Sequence, residues 1–396
     1  MNFETFNLHP SVMAGVRELG YSEPTPIQRE AIPPIMQGRD IIGLAQTGTG
    51  KTAAFALPIL ERLRASQPGS VQALIISPTR ELAEQICKVF DGLGRKTGIR
   101  SMAVYGGDSM ERQIQCLQMK PEIVIACPGR LLDHLWRGTI SLSGLKTLVI
   151  DEADRMFDMG FLADIRNILK CIMHKHQTLL FSATMPADIR RLANEVLTNP
   201  VTVQIDRQLP ARTVSHCVYP VQPHLKTNLL KEILNKTRTD SVLVFTRTKH
   251  RAKRLAQQIA RDGYKAAALH GDLSQGQRQT SLKGFRSGSI KILVATDIAA
   301  RGIDVSSISH VINFDMPRST DDYIHRIGRT GRVGRVGDAL TLVTGEDKAM
   351  VRSLERLLNK SIEHRMLESF DYTKPAPARE GVRPMRRPRQ RTRQVR

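Results

Sequence analysis

Short, nearly continuous runs of Ile, Val and Leu alternate with amphipathic stretches along the whole chain, and this alternation limits the possible folds more than any other feature. In the first half the runs are 40–44, 72–77, 100–105, 122–127, 147–151, 177–182 and 201–205. A run that is apolar at every position, not at every second one, marks a strand covered on both faces. Helical patterns such as Glu81–Phe90 and Met110–Gln118 fall between the runs. Strand–helix alternation of this kind implies a parallel sheet, because each parallel neighbour needs a long crossover. The second half repeats the scheme at 241–246, 266–270, 291–296, 310–314 and 339–343. The stretch Leu74–Arg80 (Leu-Ile-Ile-Ser-Pro-Thr-Arg) echoes Val242–Thr248 (Val-Leu-Val-Phe-Thr-Arg-Thr). The expected fold class is α/β, with two similar parallel-sheet domains in tandem. Polar text carrying Pro210 places a linker at 207–215, between domains at 1–206 and 216–365. The Arg/Pro-rich end, 366–396, is too poor in apolar residues to build a core and reads as a disordered basic tail.

Charge narrows the partner. The 396 residues carry 59 Lys/Arg against 38 Asp/Glu, a net +21. The last 23 residues hold nine Lys/Arg and one acid, about +8, so the body itself carries +13. Such a balance points to a polyanion, most often nucleic acid. Aromatic residues are only 5% and none cluster beside the basic segments, so base stacking does not dominate and the backbone is what is gripped. Five cysteines with no C-x-x-C fit a reducing, cytoplasmic compartment without disulfides or zinc. No apolar run nears the ~18 residues of a membrane span, and the N-terminus lacks a signal-peptide layout. The pair His174 and His176 has the wrong spacing for metal ligation on a helix and reads as solvated surface.

Three segments carry chemistry. The first is Ala45-Gln46-Thr47-Gly48-Thr49-Gly50-Lys51-Thr52, between an apolar strand and an apolar helix. Backbone N–H groups of such a loop point at phosphate oxygens, and the helix N-terminus adds positive potential. Lys51 is placed to reach the β/γ-phosphates and Thr52 to offer its hydroxyl to Mg²⁺. Ala45 stands where the general pattern has Gly; an ordinary Gly-rich turn is the alternative. The second is Leu148–Asp154, a buried strand ending in acids. Asp151 suits Mg²⁺ coordination, and Glu152 suits orientation and deprotonation of a water attacking the γ-phosphate. Acids welcomed by a helix N-terminus are the alternative. The third is Tyr323–Arg332, whose arginines at 326, 329 and 332 form either a solvated basic face or arginine fingers reaching phosphates held by the other domain.

Taken together, these motifs and their order resemble those of the DEAD-box RNA helicases, and the short basic tail is similar to the bacterial RhlE-like branch. The resemblance runs from about Phe3 to about Gly337. It implies two RecA-like domains, ATP and Mg²⁺ as cofactors, and an RNA-dependent ATPase that unwinds short duplexes and remodels RNA or RNA–protein complexes. Gly20–Gln28 resembles the Q motif, with Gln28 pairing with adenine, Tyr21 stacking on it and Phe3 as the upstream aromatic. Asp304 matches a ribose contact, and Arg329 and Arg332 match the fingers. Asp154, Ser182, Thr184 and His325 match the set that couples the domains. Pro78, Thr79, Arg80, Gly106, Gly107, Gly129, Arg130, Thr246, Arg247, Gln275, Arg278 and Thr296 match the RNA-contacting set. Cys127 departs from it, standing where the family usually has Thr, which shifts that contact to Gly129 and Arg130. The resemblance also implies a monomer, with ribosome-assembly or RNA-degradation proteins as partners. An ATP-gated clamp that holds RNA without unwinding it uses the same residues, and a DNA-directed helicase has the same composition.

Overall fold

The apolar runs become strands. In lobe one these are β1 Ile41–Leu44, β2 Ala73–Ile76, β3 Ser101–Val104, β4 Ile123–Ala126, β5 Thr147–Ile150, β6 Gln177–Ser182 and β7 Val201–Gln204. Lobe two contains β8 Val214–Pro220, β9 Val242–Thr246, β10 Ala266–Leu269, β11 Ile292–Thr296, β12 His310–Asn313, β13 Gly337–Val343 and β14 Glu363–His364. The structure is a computed structural model, and it describes residues 2–46, 48–67, 69–205, 214–237, 241–300, 308–331 and 337–376. Each lobe is one 7-stranded sheet, in the order β3-β4-β2-β5-β6-β1-β7 and β10-β11-β9-β12-β13-β8-β14. Every pairing is parallel. Counted from its own first strand, the second sheet has the strand order of the first. β2 and β9, the strands whose sequences echo each other, occupy the same central place.

Both faces of each sheet are covered by helices, which is why the central strands are apolar throughout. Helix Arg80–Leu93 shows how one such cover forms. The Thr79 hydroxyl accepts the Leu82 amide hydrogen bond at 3.3 Å and caps its N-terminus. Leu82, Ala83, Ile86, Phe90 and Leu93 then fall on one buried face. Phe90 meets Phe55 of helix Lys51–Arg64 at 6.2 Å between ring centroids, and Phe55 meets Phe181 of β6 at 5.5 Å. Truncating any of these rings to Ala would cost about 3–5 kcal/mol. The helix that begins at the phosphate loop is thus clamped to the sheet.

Some segments depart from the sequence reading. β8 begins at Val214, inside the expected 207–215 linker, because Val214 and Ser215 pair with Gly337 and Asp338 of β13. The edge strand β14 has only two residues, Glu363 and His364, and no sequence pattern. Both strands are fixed by their neighbours more than by their own composition. The expected tail from 366 starts as a packed strap. Leu367, Phe370 and Tyr372 lie against the lobe-two core, and Phe370 and Tyr372 pack edge-on at 4.9 Å. His224 Nε2 lies 2.8 Å from the Lys374 carbonyl oxygen, tying the strap down. Residues 377–396 lie outside the described residues. His174 and His176 are half-buried, with ring nitrogens on the Leu145 and His174 carbonyls. They lock a turn instead of facing solvent. Among the described residues, no helix is long and apolar enough to cross a membrane.

His216 links lobe-two stability to pH. Its Nδ1 lies 3.1 Å from the Tyr323 hydroxyl, beneath helix Thr320–Ile327. Burial, helped by the positive charge of Lys360, depresses its pKa to about 4. In the unfolded chain the imidazole titrates near its ordinary value of about 6.5. Between these two values the unfolded chain binds a proton that the folded lobe refuses. Stability is therefore fully present above about 6.5 and declines as pH falls toward the folded value. In melting curves taken across this window, His216→Gln should show a shallower decline than the parent. Parallel declines would remove His216 from the account.

Candidate functional site

β5, β6 and β1 are adjacent in the first sheet, so the loops leaving their C-terminal ends meet at one edge. That edge is where open parallel sheets bind ligands. The loop after β1 holds Gln46, Gly48, Thr49, Gly50, Lys51 and Thr52; Thr47 lies outside the described residues. Gly48 and Gly50 have φ of 87° and 94°, the left-handed region that glycine enters without strain. Lys51 is buried, and its Nζ donates to the Ala45 carbonyl at 2.8 Å, which holds the ammonium inside the loop. The Thr49 hydroxyl donates to the Gln46 carbonyl at 2.8 Å. Gln28 ties the loop to the Q motif: its Nε2 donates to the Gly50 carbonyl at 3.0 Å, and its Oε1 accepts from the Thr25 amide at 2.9 Å. Each end of the Gln28 amide keeps one further hydrogen-bonding position, enough for the donor–acceptor pair of an adenine edge. A Cβ at position 50 would fall 2.5 Å from Gln28 Nε2, so glycine is required there. Tyr21 is half-buried, and Phe3 is buried and stacked on it at 6.2 Å with 27° between the rings. Phe3 thus backs Tyr21 from the core side.

The acids after β5 are all buried. Burial pushes the Asp151 carboxyl up to about 6, against the pull of Lys51. It is a buried oxygen donor short of positive charge, which is the kind of donor a hard divalent cation takes. Glu152 adopts φ 53° and ψ 51°, a left-handed conformation uncommon for a residue with a side chain. Strain of this sort collects at functional sites. Here it turns the chain from β5 into helix Ala153–Asp158. Burial disfavours the Glu152 carboxylate, but Arg155, Lys51 and Arg329 outweigh it and hold the carboxyl below its usual range. Arg155, buried and ion-paired with Glu152, is a site residue that sequence reasoning missed. The signal available was its position three residues along the same helix. Asp154 accepts hydrogen bonds from the amide and hydroxyl of Thr184, both at 2.9 Å, and from the Ala183 amide at 3.2 Å. Its own amide donates to the Ser182 hydroxyl at 3.2 Å. Burial again opposes ionisation, and Lys51, His325 and the Thr184 bonds overcome it.

Two of these influences, from His325 and Arg329, come from lobe two, so the lobes meet across this edge. Arg326 and Arg329 do not act as one stripe. Arg326 is buried and fully engaged within its own lobe. It grips Asp297 with Nε–Oδ1 at 2.6 Å and Nη2–Oδ2 at 2.8 Å, donates to Asn313 Oδ1 and the Asp315 carbonyl, and lies 5.0 Å over the Phe245 ring. It is a brace, not a finger. Arg329 is buried past the end of the helix, where its charge acts on Glu152. Arg332 and Asp304 lie outside the described residues.

The expected RNA-contacting residues gather along the other side of the seam, with differences in exposure. Arg80 Nη1 donates across the lobes to Gln275 Oε1 at 3.4 Å. Gly107 has φ 83°, and a Cβ there would fall 2.2 Å from Arg80 Nη1, so the arginine lies against bare backbone. Gly107, Gly129 and Arg247 are exposed, and Gly106, Arg130 and Thr296 are half-buried. Arg130 donates to the Asp108 carbonyl at 3.1 Å. Its Nε and the Gln275 Nε2 are buried donors with no hydrogen-bond partner among the described residues; Asp133, at 3.7 Å, offers the Arg130 Nε charge without a bond. Buried donors of this kind are rare unless an acceptor completes them. Pro78 and Thr79 are buried, with Thr79 spent on its helix cap. Thr246 is fully buried, and its hydroxyl faces the Thr248 carbonyl, so it does not present a side chain to the seam. Cys127 begins helix Pro128–Trp136 without a side-chain cap, and burial raises its thiol to about 12. The departure from Thr therefore also removes a helix cap. Arg278 is already occupied: its Nε lies 2.7 Å from Glu81 Oε1, with both side chains largely shielded. Beside it Gln279 Nε2 donates to Glu84 Oε1 at 3.2 Å. These lobe-to-lobe contacts have no signature in the sequence.

A phosphate loop, strand-end acids and an opposing arginine, set on two matching sheets, define a two-lobed nucleotide-driven motor on nucleic acid. Residues 25–192 match the DEAD/DEAH box helicase family and residues 225–334 the helicase conserved C-terminal domain. The DEAD-box ATP-dependent RNA helicase CshA of Bacillus subtilis is 41% identical over 372 residues, covering 94% of this chain and 75% of the relative. CshA of Geobacillus kaustophilus is 42% identical, covering 93% and 79%. Among solved structures, S. cerevisiae Dbp5 bound to RNA and ADP BeF3 matches with a TM-score of 0.81 at 31% identity, covering 92% and 94%. A DEAD box protein from Methanococcus jannaschii matches with a TM-score of 0.53 at 36% identity, covering 92% and 99%. The chain belongs to the DEAD-box ATP-dependent RNA helicases.

The Glu81–Arg278 pair makes lobe closure testable. Ion-paired hydrogen bonds of this type contribute about 1.5–3 kcal/mol when shielded. Arg278→Glu should reduce the closed population by roughly ten-fold or more, read as interlobe fluorescence transfer with an ATP analogue and RNA bound. Combining it with Glu81→Arg should restore closure. If the double exchange stays open, the pair does not hold the lobes.

Proposed function

We propose that ATP binds between the lobes of this helicase and that its γ-phosphate draws them together on RNA. The supporting observation is that Glu152 of lobe one, the expected hydrolytic base, lies within the electrostatic reach of Arg329 from lobe two. The catalytic set is therefore complete only when the lobes meet. Gln28 and Tyr21 hold the adenine, and Lys51 with the loop amides holds the phosphates. Asp151 and Thr52 hold Mg²⁺, which supplies charge neutralisation at the phosphates. Glu152 orients the attacking water and receives its proton, and Arg329 stabilises charge on the transferred phosphoryl group. Arg332 and Asp304 join the nucleotide on sequence grounds. RNA crosses the seam through Arg80, Gly106, Gly107, Gly129, Arg130, Arg247, Gln275 and Thr296, which contact backbone more than bases.

The setting of the lobes supports a closed reading. Polar pairs join the lobes at Arg80–Gln275, Arg278–Glu81 and Gln279–Glu84. Because ATP and RNA both favour closure, each raises the affinity for the other. Bending one strand in the closed seam unpairs a short duplex locally. Hydrolysis removes the phosphate that joins the lobes, and RNA leaves. Asp154 links the two events, since it anchors the Ser182–Thr184 segment and lies in the field of His325.

The direct test is ATP hydrolysis and short-duplex displacement with and without RNA. Glu152→Gln should keep nucleotide and RNA affinity while turnover falls by about 10²–10⁴. Lys51→Ala should lose turnover by losing nucleotide affinity. RNA release from Glu152→Gln at the parent rate would separate hydrolysis from release and count against the cycle. RNA-stimulated turnover without strand displacement would favour the clamp.

A further inference from the structure

Outside the seam, a strongly basic exposed face lies on helix Lys249–Arg261, whose sequence contains no acid. Against it runs a groove of about 690 Å³, whose polar lining includes Thr248, His250, Lys253, Arg254, Gln257 and Gln258 over the buried Leu255 and Phe314. That lining consists almost wholly of hydrogen-bond donors and cations. Lys249, at the helix start, is ion-paired with Asp272 at 2.9 Å. Arg251 is ion-paired with Asp315 at 2.9 Å and lies 5.2 Å over the Phe314 ring. Lys253 and Arg254 are exposed, and neither has an ion-pair partner among the described residues.

We propose that this groove is a second RNA-binding site on lobe two, which holds phosphates of the strand as it continues past the seam. The inference rests on RNA being the polyanion of the proposed function. Three observations favour RNA over an acidic protein. The groove begins next to the expected RNA path, because Thr248 lines it and the exposed Arg247, one residue earlier, belongs to the expected RNA-contacting set. Its apolar members are buried beneath the surface, so it lacks the apolar anchor that protein interfaces place at their centre. Lysine, arginine, glutamine and threonine side chains are the usual partners of phosphate and sugar, and nucleic-acid interfaces are polar and strongly positive. The strap adds to the positive charge on this lobe: Lys374 is tied to His224, three residues before the groove-lining Thr227. Eight more arginines follow in the chain after that anchor.

The test uses the full chain with a short RNA that fills only the seam, the same RNA extended at either end, and polyglutamate as the acidic-protein probe. Lys253→Gln/Arg254→Gln should weaken binding of the extended RNA by roughly ten-fold near physiological salt and leave the short RNA unaffected. The slope of log affinity against log salt should fall by about 1.4 for a single strand or about 1.8 for a duplex extension. Lys253→Arg/Arg254→Lys, which keeps both charges, should restore the slope, and melting temperatures report an intact fold. Unchanged affinity and slope on the extended RNA would overturn the site. So would loss of polyglutamate binding with RNA binding preserved, which would assign the groove to a protein. ATP-dependent binding of the short RNA by the parent tests the proposed function separately, because a failure there would appear before any groove variant is compared.

Discussion

Compensation of buried negative charge at the C-terminal end of β5 is the constraint on which the rest of this structure depends. Asp151, Glu152 and Asp154 are all withdrawn from water, and an isolated buried carboxylate is costly. Each meets that cost differently. Asp154 is satisfied by the Thr184 and Ala183 donors. Glu152 is satisfied by Arg155 from its own helix and by Arg329 from the other lobe. Asp151 is satisfied least, and burial keeps its carboxyl well above the ordinary range. That ordering is chemically useful. The acid that anchors is fully bonded, the acid proposed as base shares its compensation with the second lobe, and the acid proposed for the cation is left short of charge.

The arginines show the complementary division of labour. Arg326 spends its donors inside lobe two, where it joins the ends of β11 and β12 to the helix that carries it. Because Arg326 fixes that helix, Arg329 just beyond it can be delivered to the opposite lobe. Arg278 and Arg80 bridge the lobes on the RNA side through Glu81 and Gln275. Closure thus joins two distinct sets of polar contacts, one facing the nucleotide cleft and one facing the nucleic-acid seam. In the proposed cycle, strain or loss in either set would be felt by the other through the lobe setting, which is the physical form that coupling between ATP and RNA would take.

Much of this could be read from the chain. Apolar runs without alternation identified the buried strands, since a strand covered on both faces has no solvent side to mark with polar residues. The echo between Leu74–Arg80 and Val242–Thr248 proved to be a repeat of whole-sheet topology. The loop after β1 and the strand-end acids could be singled out because the chemistry expected of them depends on residues adjacent in sequence. β8 and β14 were not legible, because backbone pairing with β13 and with each other sets them, and backbone pairing leaves little mark on composition. The strap at 366–376 was missed for a related reason: Leu367, Phe370 and Tyr372 are too few to form a core, but a core formed by distant residues receives them.

By itself the sequence determined the two-sheet architecture, the place of the glycine loop after β1 and the types of side chain available to the site. It could not say which arginine would brace and which would cross, since Arg326 and Arg329 sit three residues apart with the same chemistry. Only the tertiary structure decided that, by placing Asp297 and Asn313 where Arg326 ends and Glu152 where the charge of Arg329 arrives. Nor could it show that Thr246 would be enclosed or that Arg278 would be taken by Glu81. Local pattern records which face of an element is apolar. The partner of a charge depends on which distant element the folded chain brings within a few ångströms of it, and electrostatic interaction at that range is decided by geometry.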